Sequence, residues 1–370
     1  MSGTSIGSLG GGVSGYGLLG RVVADSAQTK QQLDTLTEQI SSGVISETYA
    51  GLGGSASAAL TLQSAVAQQQ VWSANIGAVT GQLGVAQTAL QQIGSIASSF
   101  YSQANSLNAS LDPGAVGSLA ASAQSALIQV ADLLDTTDGG DYVFAGQDNQ
   151  NPPVPDPDDI LSSGFATQIG AAVGNLAGAG AAATISATLG IAASNAAGTS
   201  PFSAELSQPA ATLAGLSASV QTGAGVSQPV GILASANLAA TSGGSSTTGS
   251  YVRDILRGLA TLGSLNSGMI STTGFSQVVA DAATSLNNAV SALNADAGVM
   301  GDQQTALTAQ QTEIGDTTTA LQGQLSTTED VDMASALSQL SAVQTQLQAS
   351  YQLIAGMQDL SLTKYLTNSA

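Results

Sequence analysis

The stretch VADAATSLNNAVSALNADAGVMGDQQTALTAQQTEIGDTTTAL, residues 279–321, carries a strict seven-residue apolar repeat. The repeat consists of Val279, Leu286, Leu293, Met300, Leu307, Ile314 and Leu321. Ala282, Ala289 and Ala297 roughly fill the intermediate positions, and most residues between them are polar. Such a repeat places one narrow apolar stripe along a helix, and a partner helix has to cover that stripe. At about 1.5 Å per residue the helix would be roughly 70 Å long, which predicts a rod with partners.

A second stretch with the same periodicity covers residues 57–111. One spacing of seven contains Leu62, Ile76, Leu83 and Leu90, with Gln69 as a polar exception, and the other contains Trp72, Ile93 and Phe100. Alternating steps of three and four predict a second long helix, packed side by side with the first. The predicted rod seam consists of Leu62, Trp72, Ile76, Leu83, Leu90, Ile93, Phe100, Leu286, Leu293, Met300, Leu307, Ile314 and Leu321.

The composition excludes several classes of function. The 370-residue chain has no cysteine and no histidine, and five basic residues against 24 acidic ones give a net charge of −19. Disulfides, imidazole bases and the commonest zinc ligands are therefore absent. A chain this acidic should repel nucleic acid and anionic membranes. We predict no enzyme activity, no cofactor, no nucleic-acid partner and no membrane insertion.

An acidic, proline-rich loop is the part of the sequence that most resembles a ligand-binding or metal-binding site. Asp156, Asp158 and Asp159 could hold calcium through their carboxylate oxygens, but the loop lacks the glycine and distal glutamate of an EF-hand. A solvated acidic linker is the alternative interpretation.

The predicted fold is mainly α: a long antiparallel, coiled-coil-like helical bundle built from both chain ends, with an inserted small-residue, β-containing outer domain. The predicted parts are a flexible tail (1–20), the N-terminal rod helices (21–140), the outer domain (141–272), the C-terminal core helix (273–325) and an assembly helix (326–370). Within the outer domain we expect a short strand at Tyr142–Phe144, and short strands and turns over residues 160–252. On the helix 251–262, Arg253 and Arg257 should dock against a carboxylate of a neighbouring element, with an anion site as the alternative.

Both ends of the chain predict helices with one apolar side. The first ends at Ser42–Gly43, because glycine suits the left-handed position after a helix. The spacing Ser326–Glu329 predicts a capping box that starts the last helix. An apolar C-terminal end favours burial in an assembly. The predicted assembly residues are Leu33, Leu36, Ile40, Met333, Leu337, Leu340, Leu347, Tyr351, Ile354 and Leu366.

Four stretches resemble the bacterial flagellin family, which includes filament flagellins and the hook-filament junction protein (hook-associated protein 3). They are LDTLTEQISSG (33–43), the long helix from Leu62 with its Asn75-Ile76, GDYVFAG (140–146) and EDVDMASALSQLSAVQTQLQASYQLIAGMQDLSLTKYL (329–366). The last is the most specific, in its acidic-Asp-Met start and its Leu-Thr-Lys-Tyr-Leu end. The segment DYVFAG and the Leu-Thr-Lys-Tyr-Leu end favour a junction-like member of the family. Some filament flagellins share such ends, however, and filament subunits are the more common members.

The resemblance implies an extracellular structural subunit of the flagellum. Members are exported through the flagellar type III apparatus without a cleaved signal, and pack their terminal helices into a tube. The implied partners are further copies of the chain, hook-associated or cap proteins, and an export chaperone. Residues 1–20 form a longer, Gly-rich N-terminal segment in place of the short segment that usually precedes the first helix in the family. A non-flagellar coiled-coil surface or adhesin-type protein is the alternative.

Overall fold

The computed structural model describes residues 15–359, with side chains from 20 to 356. In this range the helices are α1 (Gly15–Ser42), α2 (Ala56–Ser110), α3 (Pro113–Leu134), α4 (Gly164–Gly174), α5 (Leu176–Ala179), α6 (Ala181–Ala193), α7 (Ala210–Leu213), α8 (Tyr251–Gly263), α9 (Phe275–Glu329) and α10 (Met333–Asp359). The strands are β1 (Thr137–Asp138), β2 (Asp141–Tyr142), β3 (Ala218–Gly223) and β4 (Val226–Val230). The predicted mainly α fold with a small β-containing part is confirmed.

The chain forms two compact units, which are described separately. The terminal unit is built from both chain ends, up to Gln68 and from Thr318, and the central unit spans Gln69–Thr317. The long helices α2 and α9 contribute residues to both units.

In the central unit, α2 and α9 run antiparallel. The side-chain amide of Gln87 donates to the carbonyl of Ala297 at 3.4 Å, and that of Gln311 donates to the carbonyl of Ser73 at 3.4 Å. Residue numbers therefore fall along α9 as they rise along α2. Gly94 on α2 faces Leu293 on α9, and a Cβ at this glycine would lie 3.3 Å from Leu293 Cδ2.

The apolar repeats of both helices lie in the core of the central unit. The buried members of the predicted seam are Trp72, Ile76, Leu83, Leu90, Ile93, Phe100, Leu286, Leu293, Met300, Leu307 and Ile314. Burial of each leucine or isoleucine contributes roughly 1.5–3 kcal/mol, so the repeat is the main apolar stabilisation of this helix pair. The outermost members, Leu62 and Leu321, lie in the terminal unit and are half-buried.

Helices α3 and α8 complete the helical core. Asp112 starts α3 by accepting the backbone N–H of Gly114 at 2.9 Å, and Pro113 occupies the first helical position, where its missing N–H costs nothing. Gly258 on α8 faces Leu286 on α9 so closely that a Cβ would lie 2.8 Å from Leu286 Cγ.

The first hairpin differs from the strand predicted at Tyr142–Phe144. Strand β2 ends at Tyr142, and its partner β1 pairs Thr137 with Tyr142 and Asp138 with Asp141. Gly139 and Gly140 make the turn with φ of +63° and +102°, which glycine adopts without steric cost. Phe144 is buried, outside any strand.

The prediction of short strands and turns over 160–252 is wrong for residues 164–193, which form α4, α5 and α6. Alanine is the strongest helix former, and it dominates this segment. Ser163 starts α4 by accepting the N–H of Ala166 at 3.3 Å. Thr184 and Thr188 satisfy their hydroxyls on carbonyls of their own helix, so their β-branching does not force a strand. Strands do occur later in the range 160–252, where β3 and β4 form an antiparallel hairpin.

The predicted capping box at Ser326–Glu329 is also wrong. Helix α9 continues through Glu329, and the Ser326 hydroxyl bonds the Asp330 carboxylate. The cap of α10 is Asp332, whose carboxylate accepts the N–H groups of Ala334 and Ser335 at 3.0 and 3.1 Å.

At the N-terminal end, α1 begins at Gly15, inside the segment predicted as a flexible tail, and the rest of that prediction lies outside the described residues. The predicted stop after α1 is confirmed, because α1 ends at Ser42 and Gly43 has φ of +79°.

Candidate assembly surface of the terminal helices

The terminal unit is organised around the pairing of α1 with α10. The chain leaving α1 meets the chain entering α10, because the N–H of Val331 donates to the carbonyl of Gly43 at 3.0 Å. The N–H of Ile45 donates to the carbonyl of Glu329 at 2.7 Å. Since the end of α1 lies beside the start of α10 and the two helices pack on each other, they run antiparallel.

A series of side-chain hydrogen bonds supports this junction between the end of α1 and the start of α10. The Tyr49 hydroxyl donates to Gln63 Oε1 at 2.5 Å, and Gln63 Nε2 donates to Glu329 Oε1 at 2.8 Å. The loop after α1, the first turns of α2 and the end of α9 are thereby tied together. Tyr49 itself remains 44% exposed, so this contact lies at the surface of the unit.

The α1–α10 interface follows alternating steps of three and four on both helices. The buried and half-buried residues on α1 that follow this spacing are Val22, Ser26, Thr29, Leu33, Leu36 and Ile40. Those on α10 are Ala336, Leu340, Val343, Leu347, Ser350 and Ile354. This is the spacing of a two-helix seam.

Polar and small residues make up part of this seam, and apolar periodicity alone does not find them. Ser26 and Thr29 are 7% and 5% exposed, and their hydroxyls donate to the carbonyls of Val22 and Asp25 at 2.8 Å. A hydroxyl satisfied within its own helix leaves the neighbouring helix room to approach. Continuing the spacing of Leu33, Leu36 and Ile40 backwards would have indicated both positions.

A second apolar set on the same helices points away from the seam. Val23 is 51% exposed, Leu337 51%, Tyr351 54% and Leu353 56%. Met333, at the start of α10, is 42% exposed. By helical spacing Met333, Leu337 and Tyr351 share one side of α10, and an exposed apolar side of a helix favours contact with a partner.

The predicted assembly residues therefore divide into two groups. Leu33, Leu36, Ile40, Leu340, Leu347 and Ile354 line the α1–α10 seam, whereas Met333, Leu337 and Tyr351 are exposed. Leu366 lies outside the described residues. Val23 and Leu353 belong with the exposed group and were missed, because the prediction followed one stripe of each helix.

A buried acid in the central unit also escaped the sequence analysis. Asp296, fully buried, occupies the seam position assigned to Ala297, which is half-buried. Its carboxylate accepts the backbone N–H groups of Leu238, Ala239 and Ala240 at 2.6–2.8 Å. The seven-residue step from Ala289 leads to Asp296, so a strict count would have indicated it. Burial, and then the Asp296 carboxylate, raise the pKa of the Tyr251 hydroxyl.

The acidic loop has little in common with a metal site. Asp156, Asp158 and Asp159 are exposed. Within residues 15–359, no three acidic side chains are grouped closely enough to hold a metal ion. Nearby, burial, followed by the charge of Asp158, raises the pKa of Asp132. Burial raises the pKa of Asp135 to about 6, against the opposing effect of the Val154 N–H that it accepts at 2.8 Å.

These features define a class of protein: a mainly helical chain whose two ends pair and leave apolar side chains uncovered. Among the described helices, none has the length and apolar character needed to cross a membrane.

Comparison with known proteins agrees with this class. Residues 281–366 match the family model described as the bacterial flagellin C-terminal helical region. The match begins in α9 and continues through α10, and it supports the flagellin family for this chain. A search of curated proteins gave no match.

Proposed function

We propose that this protein is a structural subunit of the bacterial flagellum that polymerises through its terminal helices, outside the cell, for motility. The observation that carries the proposal is the flagellin C-terminal match, because it covers α10, the helix with the exposed Leu337, Tyr351 and Leu353. The resemblance of residues 33–43 adds α1, the partner of that helix.

The proposed mechanism is burial of apolar side chains between copies. Each square ångström of apolar surface removed from water contributes about 25 cal/mol, so a contact repeated along a lattice offsets the entropy of ordering each copy. In this mechanism, the exposed set on α1 and α10 contacts a different surface of the next copy. A contact between two different surfaces yields a helical filament when the rotation between successive copies does not close a ring.

Within the flagellum, two positions are open: the filament and the hook-filament junction. The stretch DYVFAG and the end LTKYL favour a junction-like subunit by resemblance. As a junction subunit, the protein would contact hook-associated or cap proteins. In either position, export through the flagellar type III apparatus with a chaperone is part of the proposal. We also propose that residues 141–272 form a variable outer domain and that the other parts of the chain have the boundaries predicted from the sequence.

Two experiments test this proposal. Immunogold labelling of the protein on flagellated cells should decorate flagella, and label found only on the cell body would contradict the flagellar assignment in favour of an adhesin-type protein. Electron microscopy of the purified protein then separates the two positions. Long tubes formed by the protein alone indicate a filament subunit, whereas labelling confined to the base of the filament, without tubes in vitro, indicates the junction.

A further inference from the structure

The two arginines of α8 have different electrostatic partners. Arg257 forms an ion pair with Asp281, with Nη1 and Oδ2 separated by 2.8 Å, as expected for a docking contact to a carboxylate. Arg253 lies one turn earlier on α8 and is 6% exposed. For Arg253 the expected carboxylate contact is wrong, because the hydrogen bonds of its guanidinium go to neutral acceptors.

Four hydrogen bonds hold the Arg253 guanidinium in place. Nη1 donates to the carbonyls of Ala192 and Ser194 at 3.0 and 3.1 Å, and Nη2 donates to Asn195 Oδ1 at 2.7 Å. Nε donates to the carbonyl of Ser235 at 3.4 Å. One face of the guanidinium lies over the Phe202 ring, 5.0 Å from its centroid.

This arrangement leaves a buried charge without a counter-ion in the described part of the chain. The carbonyls at the end of α6 stabilise the cation through the helix dipole, but they do not neutralise it. Burial consequently lowers the pKa of Arg253. A guanidinium has five N–H donors, and the four hydrogen bonds leave one N–H on Nη2 available.

Arg253 forms part of the wall of a cavity of about 630 Å³ in the central unit. Leu213, Ile232 and Leu233 give the cavity an apolar side. Ser235 also lines it, and its buried hydroxyl has no hydrogen-bond partner within the described residues. An apolar cavity with a few polar groups and one cation has the composition of a small-molecule site.

We propose that this cavity binds a small organic monocarboxylate, with its carboxylate directed to Arg253 and its apolar body against Leu213, Ile232 and Leu233. The carboxylate supplies the missing counter-charge and accepts the remaining N–H, for which arginine geometry is well suited. A neutral ligand would fill the apolar side but leave the charge uncompensated. The proposal is independent of the proposed flagellar function, because neither α1 nor α10 contributes to the cavity.

The test uses hexanoate as the probe and 1-hexanol as its neutral match, each titrated into the full-length protein and followed by NMR chemical shifts. Hexanoate should bind saturably, and 1-hexanol at least about tenfold more weakly, since a charge-assisted hydrogen bond is lost. R253Q should weaken hexanoate binding at least about tenfold while leaving 1-hexanol unchanged.

Two further variants complete the design. A214W places a large ring at the cavity wall with Arg253 intact, and should abolish binding of both probes. R21Q removes a positive charge from the exposed surface of α1 and should change neither affinity. If circular dichroism indicates that R253Q is unfolded, the binding data for A214W and the comparison of the two probes still test whether the cavity binds a monocarboxylate. No saturable hexanoate binding, equal affinity for both probes, or full hexanoate affinity in folded R253Q or in A214W would overturn the proposal.

Discussion

The carboxylate of Asp296 on α9 accepts the backbone N–H of Leu238, with Oδ2 and N separated by 2.6 Å across 58 residues of sequence. Oδ1 accepts the next two N–H groups, those of Ala239 and Ala240. A fully buried carboxylate is unfavourable unless donors surround it, and these consecutive N–H groups provide them. The segment leading into α8 is thereby held against the long helix.

Replacing Asp296 tests how much these hydrogen bonds to the segment before α8 contribute to the free energy of unfolding. We expect D296N to lower the free energy of unfolding by about 2–4 kcal/mol, because the side-chain NH₂ group would face backbone donors and the charge-assisted bonds would be lost. Urea denaturation followed by circular dichroism measures the change. D302N, at an exposed position of the same helix, is the matched control and should be nearly neutral. Equal stability of the two variants would contradict the anchoring role.

The final glycine of GDYVFAG should resist substitution for two separate reasons. Gly146 has φ of +67°, and a Cβ there would overlap the carbonyl oxygen of Leu216. Gly139 has a similar φ of +63°, but a Cβ would meet no described atom within 4 Å. G139A should therefore cost about 1–2 kcal/mol of stability for the backbone alone. G146A should cost about 1–3 kcal/mol more for the overlap, as measured by thermal and urea unfolding. Equal losses in both variants would show that the overlap relaxes without cost.

Asp135 should give the stability a pH dependence. Its pKa is about 6 in the folded chain against an ordinary value of 3.8, so the folded state binds this proton more tightly than the unfolded state. The free energy of unfolding should therefore fall as pH rises from about 4 to about 6, and this contribution should level off above that range. Partial solvent screening limits the effect to about 1–2 kcal/mol.

The variant D135N removes the titrating group but keeps an oxygen for the Val154 N–H. Its unfolding curves at pH 4 and pH 7 should differ less than those of the wild type by that amount. D302N should retain the wild-type dependence, and an unchanged dependence in D135N would assign the effect to another group.

The exposed side chains of α10 should govern assembly without supporting the fold. We expect L337Q combined with Y351Q to reduce polymerisation strongly while helical content and unfolding midpoint stay near wild type, because both residues are exposed on one side of α10, outside the α1–α10 seam. Sedimentation and electron microscopy measure assembly. Q352A, at an exposed polar position of the same helix, is the control. Wild-type polymers formed by the double variant would rule out this surface as the contact.

Removal of residues 333–370 should separate folding from assembly. The truncated chain keeps the whole central unit, so we expect a soluble, folded protein that does not polymerise. Circular dichroism and electron microscopy test both parts of this expectation. Filaments formed by the truncated chain would contradict an assembly role for the last helix.

Periodicity predicted the long helices well, because one buried stripe determines both their existence and their extent. The predicted helix at 57–111 corresponds to α2, which spans Ala56–Ser110. The prediction failed where side chains carry little pattern. Alanine, glycine and serine around Thr184 fit a strand or a helix, and only packing decides between them.

The missed site residues have a common physical cause. Ser26, Thr29 and Asp296 are polar side chains at seam positions, which a search for apolar repeats passes over. The two hydroxyls donate to carbonyls four residues earlier on the same helix, and the Asp296 carboxylate accepts the N–H of Ala239, 57 residues away along the chain. Three of the four hydrogen-bond partners of Arg253 lie about 60 residues away along the chain, at the end of a helix that was not predicted. Local spacing therefore located the arginine but gave it the wrong partner.

The antiparallel course of α2 and α9 has a consequence for how the chain folds. Gln311 contacts Ser73 at a sequence separation of 238 residues, and Gln87 contacts Ala297 at a separation of 210. During synthesis, the apolar stripe of α2 consequently leaves the ribosome long before its partner exists. Contacts of such high sequence separation slow folding, and an unpaired stripe invites aggregation in the interval.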